Sequence, residues 1–99
     1  MSIAGQRYEF TKDNIQKFAP DFSGVYGLYD RDEVIYYGEG ESVMDRLLSH
    51  SNGFDGPCTQ SATHFNWSLT ALHERREKEL LRAHEAQAGQ LPRCNDRIG

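Results

Sequence analysis

The sequence predicts a small α+β domain in which helices flank a central, mainly antiparallel, three-stranded sheet. Two short runs with β-branched and aromatic residues surround a polar turn, and a third run alternates apolar with polar residues. One helical pattern precedes the third run and a longer one follows it. The 99 residues are the size of one domain, residues 1–99, whose core would bury roughly two-thirds of the unfolded surface.

The three predicted strands cover residues 24–30, 34–38 and 64–69. The first two form a hairpin, because the polar turn Arg31-Asp32-Glu33 separates two β-type runs. The third strand has one buried face, because it places an apolar side chain at every second position: Phe65, Trp67 and Leu69. A short extended piece is expected at residues 8–10.

Two helices are predicted before the third strand. Thr11 is a suitable N-cap for a short helix that ends before Pro20, since the residue preceding a proline avoids the helical region. Ser42 and Asp45 approximate a capping box and begin a helix over residues 43–51.

The rest of the chain is predicted as a loop and a long helix. Residues 52–62 contain Asn-Gly, Asp-Gly and a proline, which indicates a loop. Thr70 is placed to cap a helix over residues 71–88, and Gly89 is placed to end it, with Pro92 beyond.

Two triplets that contain tyrosine lie on the predicted hairpin. Gly24-Val25-Tyr26 is followed, after nine residues, by Tyr36-Tyr37-Gly38. Side chains alternate along a strand, so Tyr26 and Tyr36 share a face if even positions pair with even positions. Alone, this pattern would indicate an aromatic pair that stabilises the sheet.

Arg46 and His50 stand one helical turn apart on the helix predicted over residues 43–51. A guanidinium offers a planar fork for a phosphate, and a histidine can exchange a proton near neutral pH. The pair therefore indicates an anion site. The alternative is a snorkelling arginine and a histidine favoured by the helix dipole.

Glu77 falls on the inward, apolar stripe of the long helix, together with Leu80 and Leu81, whereas Glu79 lies nearly opposite. A carboxylate in such a stripe needs a cation or hydrogen bonds. One solution is a salt bridge to an arginine. The other is a divalent metal, Mg²⁺ or Mn²⁺, since Mg²⁺ needs only one or two carboxylates and keeps most of its waters.

The two triplets and the polar residues after them resemble the GIY-YIG nuclease superfamily, over about residues 22–95. The family's arginine lies eight residues after the glycine of the second triplet. In this sequence that position, counted from Gly38, is Arg46, and the family's frequent histidine one turn later is His50.

The C-terminal part adds two further matches. Glu77 precedes Leu80-Leu81 as the family's catalytic glutamate precedes a Leu-Ile pair. Pro92-Arg93-Cys94-Asn95 resembles the family's closing Pro-x-Tyr-Asn, with Cys94 in place of tyrosine. The segment between Glu77 and Asn95 is longer than in the DNA-repair members.

The resemblance implies a metal-dependent endonuclease that hydrolyses phosphodiester bonds in DNA. Tyr26 would help to activate the attacking water, as a phenolate or through a proton relay. Arg46 would stabilise charge on the phosphate. Glu77 would be the metal ligand.

Three more residues complete the implied site. Tyr36 and His50 would position water, phosphate or the hydroxyl of Tyr26, and Asn95 would tie the C-terminal segment to the site. The competing interpretation is a non-catalytic module of the same fold that binds nucleic acid or a protein.

The charge distribution favours weak binding to DNA. Eleven Lys and Arg against fifteen Asp and Glu give a net charge of −4. Residues 1–65 carry five basic and ten acidic side chains, among them Glu39 and Glu41 beside the second triplet. DNA-binding proteins are usually basic. A homodimer or a partner protein is therefore expected to supply further recognition.

The sequence favours a cytoplasmic protein without membrane association. The N-terminal residues lack the apolar segment of a secretory signal, and no apolar run approaches the ~20 residues of a membrane span. Two cysteines, Cys58 and Cys94, are too few for a disulfide scaffold and are expected to be inert thiols.

Overall fold

The structure is a computed structural model that describes residues 2–98. Its elements, in chain order, are β1 (Tyr8–Glu9), α1 (Lys12–Phe18), β2 (Gly24–Asp30), β3 (Glu33–Gly40), α2 (Val43–Ser51), α3 (Pro57–Gln60), β4 (His64–Leu69) and α4 (His73–Ala88).

The predicted α+β class with a central antiparallel sheet is confirmed. The strands are ordered β1-β4-β2-β3, and every neighbouring pair is antiparallel. The sheet has four strands where three were predicted, because β1 pairs with the edge of β4 through Tyr8 and Phe65. A two-residue strand has too little alternation to be distinguished from a loop in the sequence.

Helices cover both faces of the sheet. On one face α1 and α2 pack on a core that includes Ile15, Tyr26, Leu47 and Phe65. On the other face α4 buries Leu80 and Leu81 against β2 and β3, in a cluster that also contains Val25 and Tyr37. Successive residues of β2 therefore enter different cores, as strand geometry requires.

The segment between α2 and β4 differs from the prediction. It was predicted as a loop, but it contains the short helix α3. Gly56, with φ of 98°, precedes this helix, and Pro57 occupies its first turn, where a missing N–H costs nothing. Four residues carry too short a pattern to indicate a helix in the sequence.

The long helix begins two residues later than predicted, at His73. The Thr70 hydroxyl accepts a hydrogen bond from the backbone N–H of Leu72 at 3.1 Å, so it stabilises the turn before the helix rather than the helix itself. Gly89 ends the helix in the left-handed conformation, with φ of 79°, as its position predicts.

The expectation of two inert thiols is wrong. Cys58 of α3 and Cys94 of the C-terminal segment form a disulfide with a Cα–Cα distance of 5.7 Å. The two residues are 36 positions apart, and only the tertiary fold brings them together. Every helix within residues 2–98 is too short or too polar to span a lipid bilayer.

Candidate active site

The hairpin places Tyr26 and Tyr36 on the same face of the sheet, with ring centroids 6.2 Å apart. The register pairs Tyr26 with Gly38 and Leu28 with Tyr36, so even positions do face even positions. Gly38 has a steric role here, because a Cβ atom at this position would overlap the phenol ring of Tyr26. The second triplet thus leaves room for the tyrosine of the first.

Helix α2 brings His50 to the buried end of Tyr26. Its N-terminus is capped by the Ser42 hydroxyl, which accepts from the Asp45 backbone N–H at 3.2 Å, and Val43 and Leu47 are buried beneath it. This orientation buries His50 completely. Its Nε2 lies 2.7 Å from the hydroxyl of Tyr26.

Arg46 lies one turn before His50 on α2, at the edge of the site. Its side chain is 38% exposed, and its Nη2 is 3.6 Å from Oδ1 of Asp55. Gly40 gives it room, since a Cβ atom there would come within 2.6 Å of the arginine Cγ. The positive charge of Arg46 acts on both tyrosines, Tyr26 and Tyr36.

Two residues that the sequence did not indicate contact the other side of His50. Nδ1 of His50 lies 2.9 Å from the Thr59 hydroxyl and 3.4 Å from Oδ2 of Asp55. Both belong to the segment predicted as a loop, where an Asp-Gly pair and a lone threonine are typical of turns. We find no sequence signal that would have distinguished them from turn residues.

A cavity of about 420 Å³ joins the hairpin, α2, α4 and the C-terminal segment. Four predicted site residues line it, namely Tyr36, His50, Glu77 and Asn95. The Cys58–Cys94 disulfide also lies on its wall. Glu77 is thus brought to the tyrosine–histidine cluster from the opposite face of the fold.

Asn95 fixes the C-terminal segment to β3. Its Oδ1 accepts from the Tyr37 backbone N–H at 3.0 Å, and its Nδ2 donates to the Tyr37 carbonyl at 3.1 Å. Both hydrogen-bonding groups of this side chain are therefore used by the backbone of the second tyrosine triplet.

Burial sets the protonation states of the central pair. The pKa of Tyr26 is raised well above its ordinary value, first by burial and then by the neighbouring Tyr36, while Arg46 opposes this rise. Burial lowers the pKa of His50 to about 4. At neutral pH the pair is therefore a phenol beside a neutral imidazole.

The surroundings of Glu77 suit a divalent cation. The pKa of Glu77 is raised, first by burial and then by the negative charge of Glu39. Glu77 takes part in none of the ion pairs that residues 2–98 form. A cation bound to the carboxylate would favour its ionised form, and so would offset both the burial of Glu77 and its repulsion by Glu39. No group of three or more potential ligand side chains exists in the described part of the chain, so such an ion would keep most of its waters.

Glu39, which flanks the second triplet, is not isolated. Its Oε2 lies 2.5 Å from Nδ1 of His73, at the start of α4. This contact gives the Glu39 carboxylate a hydrogen-bonding partner beside the site. It also links the hairpin to the helix that carries Glu77.

No family model matches the sequence, and no curated protein matches it significantly. Solved structures of the GIY-YIG N-terminal endonuclease domain of UvrC from Thermotoga maritima are similar to this chain. The magnesium-bound form gives a TM-score of 0.59 at 24% identity, covering 86% of this chain and 99% of that one. Two point mutants, each bound to a divalent cation, give TM-scores of 0.60 and 0.58 at 23% and 24% identity, covering 88% of this chain and all of theirs. This chain has the fold of the GIY-YIG endonuclease domain.

Proposed function

We propose that this chain is a metal-dependent endonuclease that hydrolyses phosphodiester bonds in DNA. One observation carries the proposal: Tyr26 is hydrogen-bonded to His50 beside Arg46, and His50 lines the same cavity as Glu77. A phenol, a neutral imidazole and the positive charge of Arg46 thus lie together at the wall of a cavity that also contains the Glu77 carboxylate, which has no ion pair among residues 2–98. The likeness of the fold to a domain with a catalytic cation supports the same conclusion.

The protonation states favour a relay over a preformed phenolate. An attacking water gives a proton to the Tyr26 oxygen while Tyr26 gives its own proton to Nε2 of His50. The water oxygen then bonds to phosphorus. The bond from phosphorus to the ester oxygen breaks, and that oxygen leaves with the electron pair and takes a proton from solvent. His50 returns the relayed proton to solvent after the product leaves.

The remaining residues bind and orient the phosphate. Arg46 stabilises the charge that grows on the phosphate oxygens. Tyr36, whose ring centroid lies 5.0 Å from that of His50, orients the water or the phosphate. Glu77 would hold Mg²⁺ or Mn²⁺, which supplies electrostatic stabilisation of the leaving oxygen when bound. Asn95 keeps the second triplet in place.

The proposed partners are DNA and a second protein chain. DNA is the substrate that the fold supports, and binding by the single domain is weak because of its net charge of −4. A homodimer or a second protein would add recognition. A cytoplasmic location, without membrane association, stays a prediction.

The test is cleavage of single-stranded, duplex and branched DNA, and of RNA, with Mg²⁺ or Mn²⁺. The wild type is compared with Tyr26→Phe, which keeps the ring, and with Arg46→Ala. We expect both variants to slow single-turnover cleavage by about 100-fold or more and to weaken binding far less. If no metal-dependent product forms from any substrate while the protein is folded, the chain is a non-catalytic binding module.

A further inference from the structure

The segment between α2 and β4 contacts His50 on the side that faces away from Tyr26. Thr59 is only 3% exposed, and its hydroxyl lies 2.9 Å from Nδ1. Asp55 approaches the same nitrogen at 3.4 Å. Both ring nitrogens of His50 therefore have partners, and different parts of the chain supply them.

The position of the single proton on a neutral imidazole decides what His50 can do. One ring nitrogen carries the proton and the other carries a lone pair. Tyr26 can give its proton to Nε2 only if the lone pair is there, which requires the imidazole proton to be on Nδ1. The opposite tautomer would donate from Nε2 to Tyr26 and could not accept its proton.

The contacts at Nδ1 select between these tautomers. The Thr59 hydroxyl can donate or accept, so it does not choose the tautomer by itself, but it accepts the hydrogen bond from Nδ1 once Asp55 has favoured a proton there. The Asp55 carboxylate only accepts, so its charge favours a proton on Nδ1. Asp55 is itself held in place, because the Ser49 hydroxyl donates to its Oδ2 at 2.8 Å and Arg46 approaches its Oδ1 at 3.6 Å.

We propose that Thr59 and Asp55 are positioning residues that hold His50 in the tautomer protonated on Nδ1, and so make Nε2 the acceptor of the Tyr26 proton. The proposal rests on the proposed function for its catalytic consequence. The tautomer itself can be measured without any substrate.

The disulfide places Thr59 where this role requires it. Cys58 precedes Thr59 in α3 and is joined to Cys94, which precedes Asn95. Asn95 is bonded in turn to the backbone of Tyr37. Through these links the Thr59 hydroxyl is tied to the same hairpin that carries Tyr26.

The test measures the ¹⁵N chemical shifts of both ring nitrogens of His50 in the full chain. In the wild type we expect Nδ1 to be protonated and Nε2 to carry the lone pair. Asp55→Asn places an amide donor near Nδ1 and is expected to raise the population with the proton on Nε2. Thr59→Val removes the hydroxyl with little change of volume, and Thr59→Ser is expected to restore the wild-type shifts. Thr63→Val, which removes a hydroxyl bonded to Tyr29 and His64, is the matched control.

Kinetics supply the second measurement. We expect Asp55→Asn and Thr59→Val to lower kcat at least 10-fold with KM changed less than 3-fold, and Thr59→Ser to recover most of the rate. The Asp55 side chain is partly exposed, so we expect Asp55→Asn to fold. Unchanged ¹⁵N chemical shifts of His50 in this variant would overturn the proposal. A changed tautomer with an unchanged kcat would overturn its catalytic part. If the wild type cleaves nothing, the proposed function fails, and the shifts still decide whether Asp55 and Thr59 set the tautomer.

Discussion

The hydroxyl of Tyr26 lies 2.7 Å from Nε2 of His50, with both side chains buried. Burial raises the pKa of Tyr26 and lowers that of His50, so both groups resist ionisation. Transfer of the proton from Tyr26 to His50 is therefore unfavourable in the resting protein. It can proceed only if the phenol oxygen takes a proton from water while the water oxygen bonds to phosphorus, because free hydroxide would be still less stable, so these steps must be concerted.

The carboxylate of Glu77 is expected to be needed for Mg²⁺ binding and Mg²⁺-dependent cleavage, but not for folding. Burial and the charge of Glu39 raise its pKa, which means that its ionised form is disfavoured in the fold. Glu77→Gln should abolish Mg²⁺-dependent cleavage and Mg²⁺ binding measured by calorimetry. Its melting temperature should equal or slightly exceed that of the wild type.

Glu79→Gln is the matched control for this prediction. Glu79 lies two residues away on α4, is 40% exposed and pairs with Arg75 and Arg76. Its replacement should leave Mg²⁺ binding intact. A clear loss of stability in Glu77→Gln, with cleavage retained, would instead assign Glu77 to the structure of the fold.

Loss of the disulfide is expected to destabilise the domain. The bond between Cys58 and Cys94 closes a loop of 36 residues, for which the chain-entropy model gives about 4 kcal/mol. Urea unfolding of the oxidised protein, the dithiol-reduced protein and the Cys58→Ser/Cys94→Ser variant measures the effect. Equal midpoints for the three samples would show that the disulfide does not stabilise the fold.

The sequence predicts the elements that repeat a simple pattern. Strands β2 and β4 and helix α2 have the predicted bounds, because local signals mark them: β-type residues before a polar turn for β2, alternation for β4 and a capping box for α2. Local patterns cannot predict the contact of Thr59 with His50 or the Cys58–Cys94 disulfide. Each joins residues whose proximity depends on how α3 packs, and a four-residue helix leaves no periodic signal.

His50 is expected to make the fold sensitive to mild acid. Its pKa is about 4 in the folded protein, because burial disfavours the charged ring, against an ordinary value of 6.5 in the unfolded chain. Between these values the unfolded state binds a proton that the folded state does not. Stability should therefore fall as the pH drops from about 6.5 to about 4, by about 3 kcal/mol for this residue.

Chemical unfolding across this pH range isolates the effect. His50→Gln should be less stable than the wild type at neutral pH and should lose less stability on acidification. His84→Gln, at an exposed hydrogen bond to the Gln90 carbonyl, serves as the control. Parallel pH profiles for the wild type and His50→Gln would contradict the prediction.

Binding of uncleaved DNA by the isolated domain is expected to be weak and steeply dependent on salt. The net charge is −4, and the basic side chains of α4 form a local patch, in which Arg75, Lys78 and Arg82 line an open groove of about 690 Å³. Glu74 and Glu79 line the same groove and offset part of this positive charge, and none of the predicted site residues lies in it. Non-specific contacts of this kind give dissociation constants of about 10⁻⁴ to 10⁻⁶ M at physiological salt. Fluorescence anisotropy with Glu77→Gln, in Mg²⁺-free buffer between about 50 and about 200 mM salt, measures both affinity and slope.

Charge removal identifies the surface that DNA contacts. Lys78→Gln and Arg82→Gln should each lower the slope of log affinity against log salt by about 1, because each phosphate contact releases about one counterion. Lys12→Gln, on α1 at the opposite face of the sheet, removes the same charge and should leave the slope unchanged. Equal effects of all three substitutions would show that net charge, and not the α4 patch, governs binding. Tight binding that salt does not weaken would show that the domain recognises DNA without a partner.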